Sequence, residues 1–290
     1  MSLHEVLVAP FADFAFMRRA LVGCLALVLG SAPVGLLLVM RRMSLMGDAM
    51  SHAVLPGAAV GYLLAGLSLP AMSAGGFVAG VLVALLAGLA TRYTEVKEDA
   101  NFAGFYLLSL ALGVLLVSKS GSNVDLMHLL FGSVLAVDDA ALLLVASVAS
   151  VTLLILAAIY RPLLLESLDP VFMRAIGARG GLWHLLFLLL VVMNLVAGFQ
   201  ALGTLMSVGL MMLPAIAARL WAASVGGMLL VALLIASLSA VGGLLLSYHA
   251  ELPSGPAIIL LAGIAYLLSM LLAPRGGLLP RLFRSRHLTN

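Results

Sequence analysis

The stretch RRMSLMGDAMSHAVLPGAAVG, residues 41–61, places two arginines, an aspartate and a histidine in a chain that is otherwise rich in Leu, Ala, Val and Gly. Of the 290 residues, 64% are hydrophobic and only 9% are charged. Soluble domains carry roughly 25% charged residues, so the composition excludes a soluble globular protein. Charged groups are costly in such apolar surroundings, which makes this stretch the first place to look for function.

The hydropathy pattern around this stretch predicts the fold class. Apolar segments recur from residue 14 to residue 273, and a helix needs about 20 apolar residues to cross a bilayer. We therefore predict an all-α, polytopic membrane protein that forms a single transmembrane domain over residues 1–290. It has eight or nine transmembrane helices, and a re-entrant or interfacial helix at residues 124–137. The nine predicted spans are 19–40, 51–67, 70–91, 102–118, 140–160, 182–201, 205–220, 225–247 and 256–273.

The basic residues predict the orientation of these spans, because Lys and Arg concentrate in cytoplasmic loops. With the carboxyl terminus inside, nine spans place twelve of the 15 Lys and Arg residues in the cytoplasm. Only Arg18, Arg19 and Lys119 fall outside. The same orientation predicts a cytoplasmic loop at about 161–181 and a basic cytoplasmic tail at 274–290.

Asp48 and His52 are the first candidate metal ligands. Residues four apart share one face of a helix, and a carboxylate beside an imidazole can bind zinc, manganese or iron. Ionisable groups within membrane segments usually serve a function. The structural alternative is an Asp–His hydrogen bond that only joins two helices.

Two further pairs are weaker candidates for metal binding. Asp125 and His128 lie three residues apart in DLMH, although Asp125 also suits the amino-terminal cap of a helix. His249 and Glu251 lie in SYHAELPSGP, which is an outward loop in the predicted orientation. These two could receive a cation there, or they could simply be solvated loop charges.

The loop RPLLLESLDPVFMRAIGARGG, residues 161–181, is the one substantial hydrophilic cytoplasmic connection. Asp169 can cap a short helix, Pro170 suits its first position and Gly177 suits its end. Such a helix is a natural docking element for a soluble partner. An ordinary connecting loop is the alternative.

Motifs that the chain lacks exclude several functions. It has no G-x-x-x-x-G-K-[ST] sequence, so it cannot hydrolyse ATP by itself. It has no H-E-x-x-H motif, which argues against a zinc hydrolase. Basic patches interleaved with aromatic residues are also missing, which argues against binding to nucleic acid. Cys24 is the only cysteine, so the chain cannot form an internal disulfide.

Five motifs in this order resemble the permease subunits of the zinc/manganese/iron ABC importers. They are RRMSLMGDAMSHAVLPG, DLMHLLFGSVLAV, LESLDPVFMRAIG, LMSVGLMMLPAIAARL and YHAELPSGPAIILL, and the likeness extends over residues 16–272. The resemblance implies a homodimeric permease in the bacterial cytoplasmic (inner) membrane, with no enzyme activity and no permanently bound cofactor. It also implies two cytoplasmic ATPase subunits and a periplasmic or lipoprotein metal-binding protein as partners.

The resemblance also implies roles for individual residues. Asp48 and His52 would line the translocation path, and a coupling helix that contacts the ATPase would cover residues 166–177. Its residues are Glu166, Ser167, Leu168, Asp169, Pro170, Val171, Phe172, Arg174, Ala175 and Gly177. Ala217 replaces a threonine that relatives tend to have, so a polar contact there is in doubt.

The expected cargo is Zn²⁺, because His128 and His249 would add imidazoles near the outer side, whereas manganese favours oxygen ligands. Import of Mn²⁺ or Fe²⁺ by the same architecture is the alternative. A gradient-driven carrier and an intramembrane metalloenzyme built on Asp48, His52 and His128 are two further alternatives from other functional classes.

Overall fold

The computed structural model describes residues 3–66, 68–96, 98–119, 137–169 and 180–279. Within these ranges the chain forms helices and no strand, as the sequence predicted. The helices are α1 (Leu3–Leu7), α2 (Ala9–Asp13), α3 (Ala15–Met40), α4 (Ser44–Ala65), α5 (Leu69–Tyr93), α6 (Glu98–Lys119), α7 (Asp139–Leu168), α8 (Gly180–Leu202), α9 (Thr204–Trp221), α10 (Val225–Ala250) and α11 (Ser254–Leu272).

Eight of the described helices are long and apolar enough to cross a membrane, namely α3 and α5 to α11. Helix α4 has 22 residues and is long enough as well, but it falls outside this apolar set. It is the helix that carries Asp48 and His52. The prediction of eight or nine transmembrane helices is confirmed, and the ambiguous ninth helix is the one with the candidate metal ligands.

Helices α3 and α8 form the centre of the bundle. In each of them 72% of the most apolar window is buried, compared with 17% in α6. Asn194 of α8 joins this centre to α7, because its Nδ2 donates a 2.8 Å hydrogen bond to Thr152 Oγ1, and both side chains are buried. This contact joins the two helices. Cys24 is also buried, in α3.

Helix α4 lies against α5 and α6 through very small residues. A Cβ added to Gly57 would lie 2.0 Å from the carbonyl oxygen of Gly75, so the two backbones touch at a point where only glycine fits. On the other side, Ser109 of α6 donates a 3.1 Å hydrogen bond to the carbonyl of Ala53. These contacts fix the position of α4 although few of its side chains are large.

Three residues, 41–43, connect α3 to α4, so the predicted start of the second span at residue 51 is wrong by seven residues. Arg42 has a φ of 61°, which is the left-handed conformation. The Met43 N–H bonds to the Leu38 carbonyl at 2.9 Å, and the Arg42 N–H bonds to the Val39 carbonyl at 3.2 Å. This is the hydrogen-bond pattern of a Schellman helix end, and it explains the sharp turn.

The predicted cytoplasmic loop at 161–181 is shorter in the structure. Helix α7 continues through Pro162 to Leu168, and α8 already begins at Gly180. Glu166, Ser167 and Leu168 therefore end a long membrane helix, and the prediction that they open a separate coupling helix is wrong. The remaining predicted coupling residues after Asp169 lie outside the described residues, and so do Asp125, His128 and residues 280–290.

Candidate metal site

Asp48 and His52 lie on one face of α4, one turn apart, as their spacing predicted. Asp48 Oδ1 lies 3.7 Å from His52 Nε2, and the side chains are 62% and 33% exposed, respectively. A distance of 3.7 Å is too long for a hydrogen bond. The two groups therefore face each other without satisfying each other, which argues against the purely structural alternative. A carboxylate and an imidazole are both ligand types that divalent transition metals use.

Helix α6 orients the imidazole of His52. The Tyr106 ring stacks on it, with ring centroids 6.0 Å apart and an angle of 28° between the planes. The inner nitrogen Nδ1 is buried and has no hydrogen-bond partner among the described residues, whereas Nε2 faces Asp48. Metal-bound histidines usually donate their other N–H to an acceptor that strengthens binding. None of the described residues gives His52 this support.

Pro56 interrupts the backbone hydrogen bonding of α4 one turn after His52. Proline has no N–H, so the carbonyl of His52 does not receive the usual helical hydrogen bond from residue 56. The sequence analysis did not identify Tyr106, because no pattern along the chain links position 106 to position 52.

His249 and Glu251 lie far from this pair. The His249 Nε2 donates a 3.0 Å hydrogen bond to the carbonyl of Val6, and Glu251 is the exposed residue that ends α10 with a φ of 53°. The neighbouring Tyr248 ring lies 5.6 Å from Phe14, just before α3 begins. Helix α4 follows the other end of α3, about 39 Å away for a helix of 26 residues.

Within the part of the chain that the structure describes, no group of three or more His, Cys, Asp or Glu residues could hold a metal ion. The described residues therefore offer two side-chain ligands at α4. A tetrahedral zinc site needs four ligands and an octahedral manganese site needs six, so this pair supplies only part of a site.

The sequence pattern of the ABC 3 transport family matches residues 13–273. The chain belongs to this family. The manganese import system permease protein ScaB of Streptococcus parasanguinis is 34% identical over 267 residues, which cover 91% of this chain and 92% of that protein. The manganese transport system membrane protein MntC of Halalkalibacterium halodurans is 32% identical over 275 residues, covering 94% and 93%, respectively.

A solved structure of PsaBC from Streptococcus pneumoniae in complex with Fab has the same fold. Its TM-score is 0.82 with 31% sequence identity, and the match covers 95% of this chain and 98% of that chain. Together with the family match, this likeness confirms the resemblance found in the sequence. This ABC 3 family member is a multi-pass membrane permease of a metal ABC importer and not an enzyme, and the ATPase is a separate subunit.

Proposed function

We propose that this permease imports a divalent transition metal across the bacterial inner membrane through a site built on Asp48 and His52, and that its cargo is Mn²⁺. The observation that carries the proposal is the exposed carboxylate–imidazole pair on α4, whose members lie 3.7 Å apart. An uncompensated pair of this kind is costly in a membrane helix unless it serves the transport path.

A second copy of the chain completes the site. Each chain contributes one carboxylate and one imidazole, and two chains related by a twofold axis would present four ligands to one ion. Two carboxylates also supply the two negative charges that balance a divalent cation. The homodimer expected from the sequence would thus bring two such pairs together.

The choice between Mn²⁺ and Zn²⁺ depends on the ligand set. The prediction of zinc relied on additional histidines, and His249 is bound to the Val6 carbonyl at the opposite end of α3. The pair on α4 offers as many carboxylates as imidazoles, and oxygen ligands suit manganese. ScaB and MntC are also named for manganese. Zinc is the second candidate, because His52 supplies an imidazole in each chain.

The same proposal includes the partners and the orientation. A cytoplasmic ATPase would contact the connection between α7 and α8, where the predicted coupling residues from Asp169 to Gly177 lie in the sequence. An extracytoplasmic metal-binding protein would deliver the ion to the other side, and the carboxyl terminus would lie in the cytoplasm. Closure of the ATPases would then rock the helices and alternate the access to Asp48 and His52.

Uptake into proteoliposomes that contain the permease, its ATPase and its metal-binding protein tests the proposal. We expect ATP-dependent Mn²⁺ uptake to exceed Zn²⁺ uptake when the two compete, and Asp48→Ala and His52→Ala each to reduce it by about 100-fold or more. Asp139→Ala and His249→Ala are matched controls, because they remove the same groups from the far end of α3. Unchanged uptake in the Asp48→Ala/His52→Ala double variant would refute the site. Preferred uptake of Zn²⁺ would refute only the choice of cargo.

A further inference from the structure

The two arginines at the start of the quoted stretch take no part in the metal pair, and one of them is buried. The side chain of Arg41 is only 6% exposed, whereas its neighbour Arg42 is exposed. A buried guanidinium is rare unless it is paired and fully hydrogen-bonded. The question is what Arg41 connects.

Arg41 binds the last turns of α7. Its Nη2 forms an ion pair with the Glu166 carboxylate and donates a 3.3 Å hydrogen bond to the Leu163 carbonyl. The carboxylate of Glu166 is itself only 17% exposed. The charge on each partner is therefore largely balanced by the other and not by water.

Arg41 also binds the first turns of α8. Its Nη1 lies 2.9 Å from His184 Nδ1, which must accept the hydrogen bond because a guanidinium can only donate. The guanidinium also lies over the Phe187 ring, 4.8 Å from its centroid. The Arg41 side chain thus contacts both of the helices that residues 169–179 connect. Its partner Glu166 lies three residues before Asp169, and its partner His184 lies four residues after Gly180.

The backbone of Arg41 is rigidly joined to the metal-binding helix. The Schellman hydrogen bonds from Arg42 and Met43 close the turn, and α4 begins at Ser44. Asp48 lies only seven residues after Arg41. A displacement of Arg41 therefore cannot be absorbed by a flexible linker and must displace the start of α4.

We propose that Arg41 is a positioning residue for transport, which transmits movement of the ends of α7 and α8 to Asp48 and His52 on α4. This inference rests on the proposed function, since it takes the connection between α7 and α8 as the point where the ATPase acts. The Arg41 cluster, namely Arg41, Glu166, His184 and Phe187, would link ATP hydrolysis to access at the metal site.

A matched control lies at the other end of the same two helices. Arg19 Nε of α3 pairs with Asp139 Oδ1 of α7 at 3.1 Å. This pair has the same chemistry and joins the same helices, but it lies away from the connection between α7 and α8. It should therefore contribute nothing to coupling.

The test measures metal uptake and ATP hydrolysis in the same proteoliposomes with the complete complex. The variants are Glu166→Gln and Arg41→Lys. Glu166→Gln keeps the shape of the side chain but removes its charge, and Arg41→Lys keeps the charge but loses the planar set of N–H donors of the guanidinium. We expect both to hydrolyse ATP while the number of metal ions imported per ATP falls by about tenfold, the size of a typical coupling between sites. Asp139→Asn should leave this ratio unchanged.

Two results would overturn the inference. If uptake and hydrolysis fall together and the ratio stays constant, Arg41 only stabilises the fold. If neither variant assembles with the ATPase, the cluster serves folding and not coupling. The Asp48→Ala variant in the same vesicles tests the proposed function separately. Its metal uptake reports on the metal site, and this result does not depend on the number of metal ions imported per ATP in the Arg41 and Glu166 variants.

Discussion

Helices α3 and α7 are joined by an arginine–carboxylate pair at each end, and the two pairs differ in their surroundings. At one end, Arg19 and Asp139 are 49% and 77% exposed. At the other end, Arg41 and Glu166 are 6% and 17% exposed. The comparison teaches that an arginine–carboxylate pair differs in its energetic weight according to whether water or protein surrounds it.

Local structure explains the exposed pair. Asp138 caps α7, because its Oδ1 accepts a 2.8 Å hydrogen bond from the Ala141 N–H, and Asp139 follows in the first turn, where the helix dipole favours an anion. Arg18 donates to the carbonyl of Ala12 at 2.6 Å. Arg18 and Arg19, two of the three predicted exceptions to the cytoplasmic placement of basic residues, thus have partners within the described chain.

The largest expected effect is a difference in how much the two ion pairs contribute to the free energy of unfolding. Arg41→Ala leaves the buried Glu166 without its partner and should lower the free energy of unfolding by about 3–5 kcal/mol. Asp139→Ala breaks an exposed pair and should cost less than about 1 kcal/mol. Chemical denaturation of the purified chain in detergent micelles measures both values. Equal losses would mean that burial does not distinguish the two ends.

A smaller expected effect tests whether metal binds near the end of α3 that carries Arg19. His249→Ala removes the hydrogen bond to the Val6 carbonyl, a net loss of about 1 kcal/mol. We expect faster hydrogen exchange in α1, while Mn²⁺ uptake by the complete complex stays normal. A loss of uptake as large as that of His52→Ala would instead identify a metal ligand at this end.

The smallest expected effect concerns two residues with a left-handed backbone conformation, one near each end of α3. Arg42 and Glu251 are the non-glycine residues with positive φ, 61° and 53°, in the described part of the chain. Arg42→Gly and Glu251→Gly should each raise the free energy of unfolding by about 1 kcal/mol or less, since glycine adopts this conformation without steric cost. Thermal denaturation of the two variants measures the gain. A destabilised Arg42→Gly protein would show that the Arg42 side chain makes a contact that the fold requires.

Helix boundaries show where prediction from the sequence reaches its limit. The end of α3 at Met40 was predicted correctly, because the two arginines interrupt the apolar pattern there. The start of α4 was predicted seven residues too late, because Asp48 and His52 made residues 44–50 look too polar for a span. Similarly, Pro162 and the charges after Tyr160 suggested a loop, but α7 continues to Leu168 because Glu166 pairs with Arg41.

The sequence by itself determined the class of the protein, a count of eight or nine transmembrane helices and the placement of Asp48 and His52 on one helix face. Composition and the spacing of residues along one helix are sufficient for these conclusions, since they depend on local periodicity and on the cost of charge in an apolar chain. Only the tertiary structure decided that Tyr106 stacks on His52 and that Arg41 holds α7 and α8 together. These contacts join residues that are 54, 125 and 143 positions apart. In uniformly apolar helices no periodicity shows which faces meet, so such contacts follow from packing alone.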